Sequence, residues 1–166
     1  MRESNLNHQL NMKKIISILA LLLCIISVQA EGSRRWSINV AGGYMATSNF
    51  STDVGTFNVG VQRNLSKYFS LGAGTGMYYC DGVIIPVYAD FRGYYPVGQS
   101  KFSWIGIVRT GVGIPTKGGS AAFGIECLPG IGLKVTNNSL LHLNLGIGSY
   151  DSKTMGTVQL GYSHTL

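Results

Sequence analysis

From Ile84 to Arg109 the chain alternates with a period of two. Val87, Ala89, Phe91 and Tyr95 fall on one side, and Tyr88, Asp90, Arg92 and Tyr94 on the other. Only extended backbone sends alternate side chains to opposite faces, so the stretch reads as a strand with an apolar face and a charged one. Pro96, Val97 and Gly98 turn the chain. It returns as a second strand, with Trp104 near its start and Arg109 on the face opposite Trp104, Val108 and Val112. In a water-soluble sheet the apolar face would cover a core; the rest of the chain favours the reverse, with apolar residues facing lipid and charges inside a closed barrel.

The alternation recurs in six further segments: Arg34 to Tyr44, Val54 to Leu65, Lys67 to Tyr79, Ala121 to Val135, Leu140 to Ser149 and Thr154 to Leu166. Turn-forming runs separate them, among them Asn64-Leu65-Ser66-Lys67, Cys80-Asp81-Gly82, Thr116-Lys117-Gly118-Gly119 and Thr136-Asn137-Asn138-Ser139. Eight strands result, an even number, each about long enough to cross a bilayer when tilted. Closing them leaves no edge and pairs every backbone N–H within the protein. The glycines agree: Gly72, Gly74, Gly76, Gly111, Gly113, Gly130, Gly132, Gly146 and Gly148 share the polar face, as a crowded lumen requires small residues beside large ones. Trp36, Phe69, Tyr95, Phe102 and Trp104 near one rim, with Tyr44, Tyr79 and Tyr150 near the other, predict two aromatic girdles. Two residue patterns fit less well. Pro129 inside the sixth strand must sit at a bulge or an unpaired position, and Ile105 and Ile107 share the face of Arg109.

No apolar run after residue 30 approaches the roughly 20 residues of a spanning helix. Before it, Lys13 and Lys14 precede an apolar run from Ile15 to Val28, followed by Val28-Gln29-Ala30. Positive charge, a short apolar core and small residues at the minus three and minus one positions predict that residues 1–30 comprise an N-terminal extension (1–11) and a signal peptide, with Met12 as the start and cleavage before Glu31. The apolar residues on both sides of Cys24 argue against a lipoprotein box. The net charge of +6 falls to +4 once Arg2, Lys13, Lys14 and Glu3 are removed, and no basic cluster interleaves with aromatics on one element, which argues against a nucleic-acid partner. Cys80 and Cys127 do not make a disulfide framework.

From Arg34 to Leu166 the chain resembles the small outer-membrane β-barrel proteins of Bacteroidetes-type bacteria, of the OmpA/OmpX architecture. The residues that carry the resemblance are Asn64-Leu65-Ser66-Lys67-Tyr68-Phe69-Ser70-Leu71 and Ile85-Pro86-Val87-Tyr88-Ala89-Asp90-Phe91-Arg92. It implies location in the cell outer membrane of a Gram-negative bacterium, with outer-membrane lipid and the barrel-assembly machinery as partners. Such barrels often end in an aromatic residue read by that machinery, whereas this chain ends in Leu166.

Little in the sequence carries catalytic chemistry. The run Leu71-Gly72-Ala73-Gly74-Thr75-Gly76 lacks the spacing of a nucleotide loop, and its period of two suits a lumen wall better. His142 and His164 have no Cys or carboxylate at metal-ligand spacing, and Ser163 and His164 point to opposite faces of one strand. Neither an enzyme nor a cofactor site is expected. The sharper constellation is a lumenal polar network of Asp90, Arg92, Arg109, Glu126, His142 and Asn144, whose charges inside a barrel must be paired or hydrated. In an eight-stranded barrel the interior is only wide enough for side chains, so a salt-bridged plug is expected.

The expectation is therefore an all-β, eight-stranded antiparallel up-and-down transmembrane β-barrel over residues 31–166, with a plugged polar lumen and a structural or surface-interaction role. The alternatives are a narrow pore for ions or small solutes, and a secreted lipocalin-like carrier with its apolar face inside.

Overall fold

The computed structural model describes residues 35–47, 53–80, 82–150 and 153–166. The predicted signal peptide, its cleavage site, and loop residues Ser48, Asp81 and Asp151 lie outside the described residues.

Eight strands follow one another: β1 (Trp36–Thr47), β2 (Asp53–Asn64), β3 (Phe69–Tyr79), β4 (Val83–Pro96), β5 (Phe102–Pro115), β6 (Ala122–Thr136), β7 (Ser139–Tyr150) and β8 (Lys153–Thr165). Each pairs antiparallel with its neighbour in sequence, and β1 pairs with β8 from Ser37 opposite Thr165 to Thr47 opposite Met155, which closes the barrel. One end, here the turn end, carries the β2–β3, β4–β5 and β6–β7 turns together with Trp36 and Leu166. The opposite, loop end carries the other connections. In the β4–β5 turn Gly98 has φ 56°, a left-handed conformation that suits a residue without Cβ.

Alternation turns the barrel inside out relative to a soluble protein. Trp104, Ile147, Leu160 and Leu145 are more than half exposed on the outer face, whereas Asn58, Gln62, Asp90, Arg92, Arg109, Glu126, Asn144 and Gln159 are almost wholly buried inside. The girdle residues Trp36, Phe69, Tyr95, Phe102 and Trp104 all face outward near the turn end, and Tyr44 and Tyr79 do so near the loop end.

Tyr150 is a correction to the expected girdle. As the last residue of β7 it shares the inward parity of His142 and Asn144, and its hydroxyl donates to Glu126 Oε1 at 2.7 Å. Pro129 is accommodated without a bulge. It lies opposite Gly106 on β5, while the β6–β7 ladder is interrupted between the pairs Cys127–Ile147 and Gly130–Asn144. The missing N–H of Pro129 thus falls in a gap of the ladder, and the register shift of this strand pair comes later, between Lys134 and Thr136.

The interior is layered along the barrel axis. Near the loop end, Met45, Val54 and Tyr78 form an apolar cluster joined by Ile84, Tyr150 and Met155. Near the turn end, Ile105, Ile107 and Leu128 form a second cluster, joined by Tyr94 and Leu140. Ile105 and Ile107, the poorest fit to a polar lumen, belong to this lower plug. The charges lie between the two.

Candidate functional site: the lumenal charge network

The middle layer is built by strands on several sides of the barrel whose inward side chains meet across it. β4 contributes Asp90 and Arg92, two residues apart and hence on one face. The Arg92 guanidinium grips the Asp90 carboxylate with two bonds, Nε to Oδ1 at 3.0 Å and Nη2 to Oδ2 at 2.8 Å. Arg92 Nη1 reaches across to Asn39 Oδ1 on β1 at 2.8 Å and to Ser163 Oγ on β8 at 3.3 Å. The Ser163 hydroxyl also bonds Asn39 Oδ1.

Arg109 stands opposite Asp90 in the β4–β5 ladder and opposite Glu126 in the β5–β6 ladder. It joins the two carboxylates: Nε lies 3.3 Å from Asp90 Oδ2, and Nη1 lies 3.2 Å from Glu126 Oε2 and 2.8 Å from Gln159 Oε1. Its guanidinium carbon sits 5.1 Å from the centre of the Tyr88 ring, an added cation–π contact. Both Tyr78 and Tyr150 donate their hydroxyls to Glu126 Oε1 at 2.7 Å. Two cations and two anions therefore neutralise one another in a single connected network, each at most 2 % exposed. Burial of such charges is tolerable only with this degree of pairing and hydrogen bonding.

His142 and Asn144 are equally buried but make a separate pair. His142 Nδ1 lies 2.6 Å from Asn144 Oδ1, and Asn144 Nδ2 donates to the Leu128 carbonyl at 3.0 Å. Neither side chain hydrogen-bonds to a charged residue among the described residues, so the six predicted residues divide into a four-charge network and a separate His–Asn pair. Sequence reasoning left out the neutral members of the larger network: Asn39, Tyr78, Tyr150, Gln159 and Ser163. Inward parity was the available signal for each, but parity does not say which partner waits across the lumen.

Glycines make room for these contacts. A Cβ at Gly74 would lie 2.6 Å from the Tyr88 hydroxyl, and one at Gly43 would lie 2.6 Å from Cγ of Gln159. The large side chains of one wall thus occupy the space that glycine leaves on another.

Among the described residues no group of three or more His, Cys, Asp or Glu side chains could hold a metal ion. Ser163 is buried beside Asn39, whereas the His164 ring stacks on Tyr162, one of the outward-facing residues of β8. Cys80 and Cys127 are free and exposed, the first beyond the end of β3 and the second on the outer face of β6.

No protein-family model matches the chain, and no curated protein sequence matches it. Solved structures do match in fold. Neisserial surface protein A aligns with a TM-score of 0.62 at 14% identity, over 80% of this chain and 96% of that one. The N-terminal β-barrel domain of Pseudomonas aeruginosa OprF aligns with a TM-score of 0.60 at 15% identity, over 82% of this chain and 100% of that one. A de novo designed transmembrane β-barrel aligns with a TM-score of 0.55 at 17% identity, over 82% of this chain and 99% of that one. The fold is accordingly that of the small, closed, eight-stranded outer-membrane barrels.

Proposed function

We propose that this protein is a cell outer-membrane barrel with a structural or surface-interaction role, exported through a signal peptide that starts at Met12 and ends at Ala30, and inserted by the barrel-assembly machinery. The observation that carries the reading is the inside-out distribution of residues: an apolar outer face, and an interior filled by a neutral charge network between two apolar plugs. A lipocalin-like carrier needs the opposite arrangement, with the apolar lining inside. A narrow ion pore needs a hydrated path past Met45, Val54 and Tyr78 at one end and Ile105, Ile107 and Leu128 at the other, and these clusters stand in its way. Outer-membrane barrels among the structural neighbours, including OprG of Pseudomonas aeruginosa, support the location. The short tracts around Leu65 and Val87 support a Bacteroidetes-type origin. With an even strand count both termini share one side, and we take that side to be periplasmic.

Membrane fractionation together with single-channel recording tests the reading. The protein should co-fractionate with the outer membrane, migrate differently before and after heating, and pass no steady current. Recovery in the soluble fraction would overturn the location, and steady unitary conductance would overturn the plug.

A further inference from the structure

The two rims of the barrel differ in charge. Exposed Arg35, Arg63, Lys67, Lys101 and Lys134 gather at the turn end, where the described residues include no exposed Asp or Glu; Asp90 and Glu126 are buried and paired in the lumen. The loop end carries Lys117 and Lys153 with Asp53. The cationic rim also bears the outward aromatic residues Trp36, Phe69, Tyr95, Phe102 and Trp104, which are at home where acyl chains meet headgroups.

Between these aromatics the outer wall has a hollow of about 700 Å³. Gly93, Gly106 and Pro129 face one another in adjacent ladders and form its floor, while Phe69, Tyr95 and Trp104 form its sides. A Cβ at Gly106 would meet no atom within 4 Å, so the space is open. Tyr68 lines the same hollow, and the Lys67 ammonium lies 4.7 Å from the centre of its ring. Beyond the aromatics Lys101 and Lys134 line a polar recess of about 600 Å³ between the β4–β5 and β6–β7 turns. Hydrocarbon fits the first space and an anionic group the second.

We propose that this rim is a binding site for one anionic glycerophospholipid, an acyl chain lying over Gly106 against Trp104 and the headgroup phosphate held by Lys67, Lys101 and Lys134. Three features support a lipid occupant over a protein one: the hollow faces the membrane, its sides are the interfacial aromatics, and the cations stand on the headgroup side of them. The inference rests on the barrel reading above.

The reporter is already in place, because Trp36 and Trp104 are the chain's two tryptophans and Trp36→Phe leaves Trp104 alone in the hollow. Full-length protein carrying Trp36→Phe, purified from membranes in which it is expressed, is reconstituted into phosphatidylcholine vesicles containing a fraction of brominated phosphatidylglycerol or brominated phosphatidylcholine. Bromine on the acyl chain quenches Trp104 in proportion to local lipid occupancy. The expected result is preferential quenching by the anionic lipid, by a relative association constant of about fivefold for each lysine fully engaged and less as salt is added. Lys67→Gln, Lys101→Gln and Lys134→Gln together should abolish the preference, while Lys117→Gln with Lys153→Gln at the other rim should leave it intact. Gly106→Leu should fill the hollow and reduce quenching by both lipids, and the smaller Gly106→Ala should do so in part if the leucine variant does not assemble. Equal quenching by the two lipids, loss of the preference from the loop-end pair instead, or stronger displacement of the brominated lipid by lipid A than by phosphatidylglycerol would overturn the proposal. Heated and unheated mobility separates the two readings: a chain that shows no shift refutes the barrel and the site together, whereas a shifted chain without lipid preference refutes the site alone.

Discussion

Arg109 joins the lumenal network, and its removal sets up an asymmetry that can be worked out from the geometry. Arg109→Met deletes ion pairs at 3.3 Å to Asp90 and 3.2 Å to Glu126, and a hydrogen bond of 2.8 Å to Gln159. Asp90 keeps its two bonds from Arg92, so its charge stays compensated. Glu126 keeps only the hydroxyls of Tyr78 and Tyr150, and becomes an unneutralised anion that is fully buried. Breaking one side of a buried pair in this way costs about 3 to 5 kcal/mol. Glu126→Gln is milder, about 2 kcal/mol, because Arg109 retains Asp90. In the double variant no unpaired charge remains, so it should be more stable than Arg109→Met alone, with a coupling between the sites of about 3 kcal/mol, larger than the cost of Glu126→Gln itself. Urea unfolding in lipid vesicles, followed by tryptophan emission and by gel mobility without heating, gives the three free energies. Losses that add to within about 0.5 kcal/mol would refute the argument, since they would mean that Arg109 and Glu126 do not share their environment.

Other expectations follow from the faces and rims. Leu143→Lys and Leu145→Lys place a cation on the outer wall and should each cost roughly 2 to 4 kcal/mol in vesicles if the site lies near the bilayer midplane, as measured by the same unfolding assay. Replacing Asn144 by Ser, a change that the polar lumen alone predicts to be nearly neutral, should instead cost about 1 to 3 kcal/mol, because Asn144 is fully buried and bonds both His142 and the Leu128 carbonyl. Cys127 faces outward from mid-β6, so in intact membranes it should react with a membrane-permeant maleimide and resist a charged one; rapid reaction with the charged reagent would place it in water. A tag at Lys117 should be labelled on intact cells and one at Gly98 should not, and the reverse pattern would invert the orientation. N-terminal sequencing of the exported protein should begin at Glu31, and a start at Met12 would contradict signal cleavage.

Period-two alternation made the number of strands and the two faces of the wall legible, because a strand's geometry depends on little beyond its own residues. Asp90, Arg92, Arg109 and Glu126 could be assigned inward on that ground alone. Tyr150 shows where a compositional rule misleads: an aromatic residue at a strand end suggested a girdle, but parity sends it to Glu126. Ile105 and Ile107 were legible as inward and still puzzling, since the apolar cluster that they complete needs Leu128 from β6 and Leu140 from β7. Partnering was the least legible. Arg92 meets Asn39 and Ser163 only because closure brings β1 and β8 opposite β4, at separations of 53 and 71 residues along the chain. No local pattern encodes which side chains meet across a lumen.

Those Arg92 contacts also bear on how the wall could come apart. A barrel closed by its first and last strands is expected to part at that seam, since β1 and β8 are joined by no turn. Here Arg92 bridges the seam from the far side, holding Asn39 of β1 and the Ser163 hydroxyl of β8 from the same Nη1 while Asp90 anchors its other two nitrogens. Lateral opening would strip a guanidinium of two acceptors in a space that water reaches poorly, so parting the strands and undoing the lumen become one event. The same cross-brace makes completion of the barrel cooperative: its last bonds cannot form until both ends of the chain have arrived, and once formed they oppose the departure of either.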